Sequence, residues 1–151
     1  MHSVVIADTS CFILLDNIGE LDLLRALYSQ IITTPIVVDE FGKKLPEWIL
    51  VAAPDKVHLK KLSVYPIDDG EMTAIALAMD YADSVLIIDD LKARRVAEKF
   101  GLLVKGTIGV IVEAKLRGHI SSIKPILEKI NKTNFRITSA VYQNALKEAG
   151  E

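Results

Sequence analysis

Acidic side chains stand beside short apolar runs at several points of this 151-residue sequence. Asp8 follows the apolar residues 4–7, and Asp89 and Asp90 follow the apolar residues 84–88. Glu40 lies about one turn into the helical segment that follows residues 31–33, and Glu71 opens the helical segment that precedes residues 84–88. If these carboxylates share one pocket, their mutual repulsion needs compensation, and the usual partner is a hard divalent cation with oxygen ligands. The sequence therefore predicts a Mg²⁺ or Mn²⁺ site, provided that the segments converge.

Each acid also has a purely structural interpretation. Asp8 could accept backbone N–H groups in a turn. Asp68 or Asp69 suits the N-cap of the helix that follows, which leaves Glu71 for the site. One residue of the Asp89–Asp90 pair is expected to cap the helix that begins at Leu91. Capping explains single members of the set more easily than it explains all of them together.

Strands and helices alternate along the chain. Apolar runs predict strands at 4–7, 31–33, 84–88 and 102–104, and residues 48–52 are expected to form a strand, with a helical turn as the alternative. Helices are expected at 21–29, from 34 to before 46, at 68–79, 91–100, 106–118, 121–130 and 138–149. This order predicts a three-layer α/β/α sandwich with a mostly parallel sheet of about four or five strands. Ligands of such folds bind at the carboxyl ends of the strands, where the acids fall.

Composition limits the class of protein. With 50% hydrophobic residues and 18 basic against 20 acidic ones, the chain is expected to form one folded domain, 1–151. No apolar run approaches the ~18 residues of a membrane span, and the first ten residues lack the pattern of a secretory leader. Cys11 is the only cysteine, which favours a reducing cytoplasm, and its apolar neighbours predict a core position.

Several segments together resemble the PIN-domain family, in particular the small prokaryotic group related to VapC-type toxin nucleases of type II toxin–antitoxin systems. The matching segments cover nearly the whole chain in the order of the family: residues 6–10, 38–41, 70–78, 86–90 with 93–94, 106–109 and 146–151. The resemblance implies a Mg²⁺- or Mn²⁺-dependent endoribonuclease. It also implies a possible cognate antitoxin and a homodimer, for which the C-terminal helices at about 121–151 could serve.

The resemblance also assigns roles to residues. Asp8, Glu40 and Glu71 match the first three acids of the family, and the fourth falls on Asp89 or Asp90. The expected supporting residues are Ser10, a hydroxyl beside the site, and Thr107, as a helix cap. In one departure, Ile88 stands where toxin nucleases often have Thr or Ser, which puts a hydroxyl contact, and with it full activity, in question.

RNA binding needs cations outside the acid cluster. The candidates lie after Glu40 and near Asp90, and they are Lys43, Lys44, Lys92, Arg94 and Arg95. Ordinary solvated surface is the competing interpretation for most of them.

Two other functions compete with the nuclease. A haloacid-dehalogenase-type phosphotransferase is disfavoured because Ser10 stands where that family needs an acid, and a catalytically silent partner module predicts no metal binding.

Overall fold

The computed structural model describes residues 4–151, so Met1, His2 and Ser3 lie outside the described residues. Within them, five parallel strands form one sheet with the order β3-β2-β1-β4-β5. The strands are β1 (Val4–Ala7), β2 (Ile31–Thr33), β3 (Ile49–Val51), β4 (Ser84–Ile87) and β5 (Leu103–Lys105). This arrangement confirms the predicted fold class, with a sheet that is parallel throughout the described chain.

Helices cover both faces of the sheet. In chain order they are α1 (Thr9–Asn17), α2 (Asp22–Leu27), α3 (Pro35–Phe41), α4 (Lys56–Leu62), α5 (Asp69–Met79), α6 (Leu91–Lys99), α7 (Thr107–Leu116), α8 (Lys124–Asn131) and α9 (Ser139–Glu148). Alternate residues of β1 face opposite layers. Val5 and Ala7 pack with α1, α2, α3 and α7–α9, whereas Val4 and Ile6 pack with α4–α6. The three inner strands β1, β2 and β4 are therefore buried from two sides, as their apolar sequences predict, whereas the edge strands β3 and β5 are partly exposed.

Three helices differ from the sequence-based expectation. Helices α1 and α4 were not predicted, and α8 begins at Lys124 rather than at residue 121. Cys11, Phe12, Leu14 and Leu15 of α1 are all buried, so the helix lacks the polar face that makes an amphipathic helix visible in a sequence. Cys11 is fully buried, which confirms its predicted place in the core.

No helix among residues 4–151 combines the length and the apolar character needed to cross a bilayer.

Candidate active site

The central position of β1 in the sheet brings the predicted acids together. β1 pairs with β4 in a register that sets Ala7 opposite Ile87, and the N–H of Asp8 donates to the Ile87 carbonyl at 3.0 Å. A pocket of about 370 Å³ lies at the carboxyl ends of these two strands, and its lining residues are Asp8, Thr9, Ser10, Ile13, Glu40, Asp68, Glu71, Asp89 and Asp90. All five acids predicted from the sequence thus face one pocket, which the sequence alone could not establish.

Asp8 is the most buried of these acids, with 5% of its surface exposed. Its Oδ1 atom is buried and has no hydrogen-bond partner among the described residues. Burial, together with the nearby carboxylates of Glu71, Asp68 and Glu40, raises the pKa of Asp8 to about 7, although a hydrogen bond from the Thr9 backbone opposes the shift. A buried oxygen without a partner is rare in folded proteins and needs an explanation, such as a ligand that the structure does not contain.

Glu40 reaches the pocket from α3. Thr34 begins this helix as its N-cap, accepting a hydrogen bond from the Val37 N–H, and Pro35 occupies the first helical position. The hydroxyl of Thr9 donates to Oε1 of Glu40 at 2.5 Å, which ties α3 to the residue after Asp8. Glu40 is an exposed residue, and it lines the pocket.

Glu71 has two roles at once. It forms a capping box with Asp68: the Glu71 N–H donates to Asp68 Oδ1 at 2.7 Å, and the Asp68 N–H donates to Glu71 Oε1 at 3.1 Å. Partial burial and the nearby carboxylates of Asp68 and Asp90 raise the pKa of Glu71. The expectation that Asp68 caps the helix while Glu71 is left for the site therefore holds only in part, because Glu71 also satisfies the cap.

Asp89 is held by three donors. The Ser10 hydroxyl and the Thr107 hydroxyl donate to Oδ2 at 2.9 Å and 2.7 Å, and the Thr107 N–H donates to Oδ1 at 2.7 Å. Thr107 was expected to cap its own helix, and this expectation was wrong. The N-cap position of α7 is Gly106, which has no side chain to offer, so the Asp89 carboxylate satisfies the Thr107 N–H instead. Ser10 and Thr107 thus act together as supports for one acid.

Asp90 is the member of the pair that caps a helix. Its Oδ2 accepts the Ala93 N–H at 3.0 Å at the start of α6, while the carboxylate still lines the pocket. The neighbouring Ile88 is fully buried and packs in the core layer that contains α5 and α6. Its side chain belongs to that core, and Ile88 does not line the pocket.

The donor set suits a hard cation. Within residues 4–151, no group of three or more His, Cys, Asp or Glu side chains has the geometry to hold a metal ion as the side chains stand. The carboxylates of the pocket are nevertheless all oxygen donors, which Mg²⁺ and Mn²⁺ prefer, and Asp8 supplies a buried oxygen that has no hydrogen-bond partner in the described part of the chain. The residues fit such an ion chemically, provided that the more exposed carboxylates turn toward Asp8.

Of the five predicted RNA-binding cations, Arg94 alone lines a groove that adjoins the acidic pocket. Arg94 lines a groove of about 490 Å³ between α6, α7 and the C-terminal segment 135–148, and Asp89 lines both this groove and the acidic pocket. We call it the C-terminal groove. Lys43 pairs with Asp16 at 2.8 Å and, with Lys44, lines a different hollow, while Lys92 and Arg95 are exposed on α6.

Three residues of this region were not predicted from the sequence to belong to the site. Thr9 orients Glu40, Arg136 lines the C-terminal groove beside Arg94, and Gly70 lies against the Glu40 carboxylate. Thr9 and Gly70 fall inside the segments that carry the family resemblance, which was the available signal for them. Arg136 lies outside every one of those segments, so the sequence offered no comparable signal for it.

No curated protein matches the sequence, but the model of one protein family does. The model of the family DUF3368, described as a PIN domain, matches residues 4–151. That match covers all of the chain except its first three residues, and it includes every acid of the pocket. The chain therefore belongs to the PIN-domain family.

Proposed function

We propose that this protein is a divalent-metal-dependent endoribonuclease. The observation that carries the proposal is the acidic pocket, in which Asp8 keeps a buried carboxylate oxygen without a hydrogen-bond partner among residues 4–151, beside five further acids. PIN domains are generally nucleases and typically use divalent metals, which supports the same reaction class. Asp8, Glu40, Glu71 and one or both of Asp89 and Asp90 would hold the ion.

The chain's own residues supply binding and orientation. When bound, Mg²⁺ or Mn²⁺ lowers the pKa of a water molecule and offsets charge on a phosphate diester. Thr9 donates to Glu40, and Ser10 and Thr107 donate to Asp89, so hydroxyl groups keep two of the acids at the pocket before a ligand arrives. No side-chain nucleophile is needed, which agrees with the full burial of Cys11 and the raised pKa of its thiol.

The C-terminal groove is the proposed path of the RNA strand toward the acids. Arg94 and Arg136 both line it, and neither forms an ion pair with another residue from 4 to 151. The third cation of the groove, Lys105, is paired with Glu113. Two unpaired guanidinium groups are suited to phosphate oxygens, and the partly buried ring of Phe135 is suited to stacking on a base.

The proposed biological role is that of the toxin of a toxin–antitoxin pair, acting in the cytoplasm as a homodimer. This role rests on the resemblance to toxin nucleases. It predicts growth arrest when the chain is expressed alone, and relief of that arrest by a cognate antitoxin. Light scattering of the purified protein would test the dimer.

The test of the proposed reaction is cleavage of a panel of single-stranded and hairpin RNAs with Mn²⁺, with Mg²⁺ and with EDTA. The wild-type protein is compared with Asp8→Asn, which removes the charge but keeps the shape, and with Asp69→Asn, which changes an exposed acid outside the pocket. We expect cleavage that needs metal, is lost in Asp8→Asn and is kept in Asp69→Asn. If neither cleavage nor Mn²⁺ binding occurs, the protein is the silent partner module instead.

A further inference from the structure

The backbone conformation at position 70 does not require a glycine. Gly70 is the second residue of α5, and its φ is not among the positive values that Gly19, Gly42, Gly101 and others adopt in the described chain. Within a helix, glycine lowers stability relative to alanine because it loses more conformational freedom on folding. A glycine at this buried position therefore needs another explanation.

The space beside Gly70 is occupied by a carboxylate from another helix. A methyl group added at Gly70 would lie 2.8 Å from Cδ of Glu40 and no more than 3.0 Å from either carboxylate oxygen, which is closer than real carbon contacts allow. No atom of any other residue is among the three nearest. The Glu40 carboxylate thus occupies the space that a side chain at position 70 would take. Gly70 directly precedes Glu71 in the sequence.

The helices cannot easily separate to make room. The hydroxyls of Thr34, at the start of α3, and Thr73, in α5, share a buried hydrogen bond of 2.8 Å. Thr73 also donates to the carbonyl of Gly70 itself at 3.0 Å. Because the buried Thr34–Thr73 hydrogen bond links α3 to α5, an added methyl group would move the flexible end of Glu40 rather than the backbone.

We propose that Gly70 is a positioning residue for the Glu40 carboxylate, keeping it against α5 in the acidic pocket. Simple tight packing is the competing explanation, but the group in contact is the end of an exposed side chain that could turn into solvent without disturbing the core. The absence of a side chain at 70 and the Thr9 hydroxyl on the other side together define where that carboxylate lies. The importance of this position for metal binding rests on the proposed function.

The test compares Gly70→Ala with Gly109→Ala. Gly109 is also a helical glycine without positive φ, and its added methyl group would meet a flexible side chain, that of Lys105. In the metal-free protein we measure thermal unfolding and the ¹³C resonance of the Glu40 carboxyl carbon, and we then measure Mn²⁺ affinity by calorimetry. We expect Gly70→Ala to unfold at the wild-type temperature or above it, to shift the Glu40 resonance, and to bind Mn²⁺ about tenfold more weakly.

Gly109→Ala should leave both the Glu40 resonance and the Mn²⁺ affinity unchanged. An unchanged Glu40 resonance in Gly70→Ala, or a marked loss of its stability, would overturn the positioning role and leave tight packing as the explanation. If the wild-type protein binds no Mn²⁺, the proposed function fails, while the resonance of Glu40 in the metal-free variants still decides the role of Gly70.

Discussion

Asp8 shows, at the scale of a single residue, how a binding site opposes stability. Its carboxylate is buried, one of its oxygens has no partner in the described chain, and three further carboxylates lie near it. A charge in that position is unfavourable until a cation arrives, so the metal-free protein holds a proton there that the unfolded chain would release.

The metal-free protein should therefore lose stability as pH rises from about 4 to about 7. The pKa of Asp8 is raised from 3.8 to about 7 in the folded state, so the folded state binds more protons in that interval and its free energy of unfolding falls. The loss is on the order of a few kcal/mol. Urea unfolding in EDTA at several pH values measures it. Asp8→Asn should flatten the dependence, and Asp69→Asn should not; equal slopes for wild type and Asp8→Asn would contradict this account.

Thr107 supports Asp89, and its hydroxyl can be tested separately from its N–H. Thr107→Val keeps the shape and the backbone donor but removes the hydroxyl that donates to Asp89. We expect a loss of about 1 kcal/mol in unfolding free energy and a roughly tenfold lower Mn²⁺ affinity by calorimetry. Thr133→Val removes a hydroxyl that donates to the Ile130 carbonyl and accepts the Phe135 N–H, outside the acidic pocket. It should lower stability alone; a Thr107→Val protein with wild-type Mn²⁺ affinity would show that this support is only structural.

At the scale of elements, periodicity and caps made most of the fold predictable. All five strands were apolar runs, and α3 and α5 carry clear N-terminal signals at Thr34 and Asp68. Helix α1 was not predictable because its buried residues leave no polar stripe. The role of Thr107 was not predictable either, since the acid that accepts its N–H lies 18 residues earlier and meets it only through the pairing of β4 with β5. Asp8 and the Asp89–Asp90 pair meet because β1 and β4 are neighbours in the sheet, and the sequence alone does not reveal which strands are neighbours.

Capping and metal binding can be separated at Asp90. Asn caps helices about as well as Asp, so Asp90→Asn should keep unfolding free energy within about 0.5 kcal/mol, whereas Asp90→Ala should lose about 1 kcal/mol. Because the cap uses only Oδ2, we expect both variants to bind Mn²⁺ at least about tenfold more weakly. Asp55 caps α4 outside the pocket, so Asp55→Ala is the control that should lose stability alone. Wild-type Mn²⁺ affinity in Asp90→Asn would make Asp90 a cap and leave Asp89 as the fourth acid.

At the scale of the whole molecule, the net charge of −2 conceals an uneven distribution. Six acids line one pocket, and Arg94 and Arg136, which form no ion pair among residues 4–151, line the adjoining C-terminal groove. This separation of acidic and basic side chains suits the binding of a polyanion, because its phosphates can contact the arginines of the groove beside the acidic pocket.

This division predicts how RNA binding responds to salt. Arg94→Ala and Arg136→Ala should each weaken binding of a non-cleaved RNA to the Asp8→Asn protein, and each should reduce the slope of log affinity against log salt by about 1. Arg95→Ala changes an exposed cation on the same helix that does not line the groove, so it should have little effect. Fluorescence anisotropy at several salt concentrations gives the slopes. Equal losses from all three variants would indicate diffuse charge attraction instead of a groove.

Anomalous diffraction from crystals soaked in Mn²⁺ would show directly whether the acidic pocket binds a metal ion. We expect an anomalous peak in that pocket, within coordination distance of Asp8 and of at least two of the carboxylates of Glu40, Glu71, Asp89 and Asp90. Asp8→Asn crystals soaked in the same way should show that peak weakened or missing. A pocket without Mn²⁺ in wild-type crystals, or a peak bound only by surface residues elsewhere, would contradict the claim that these acids form a metal site.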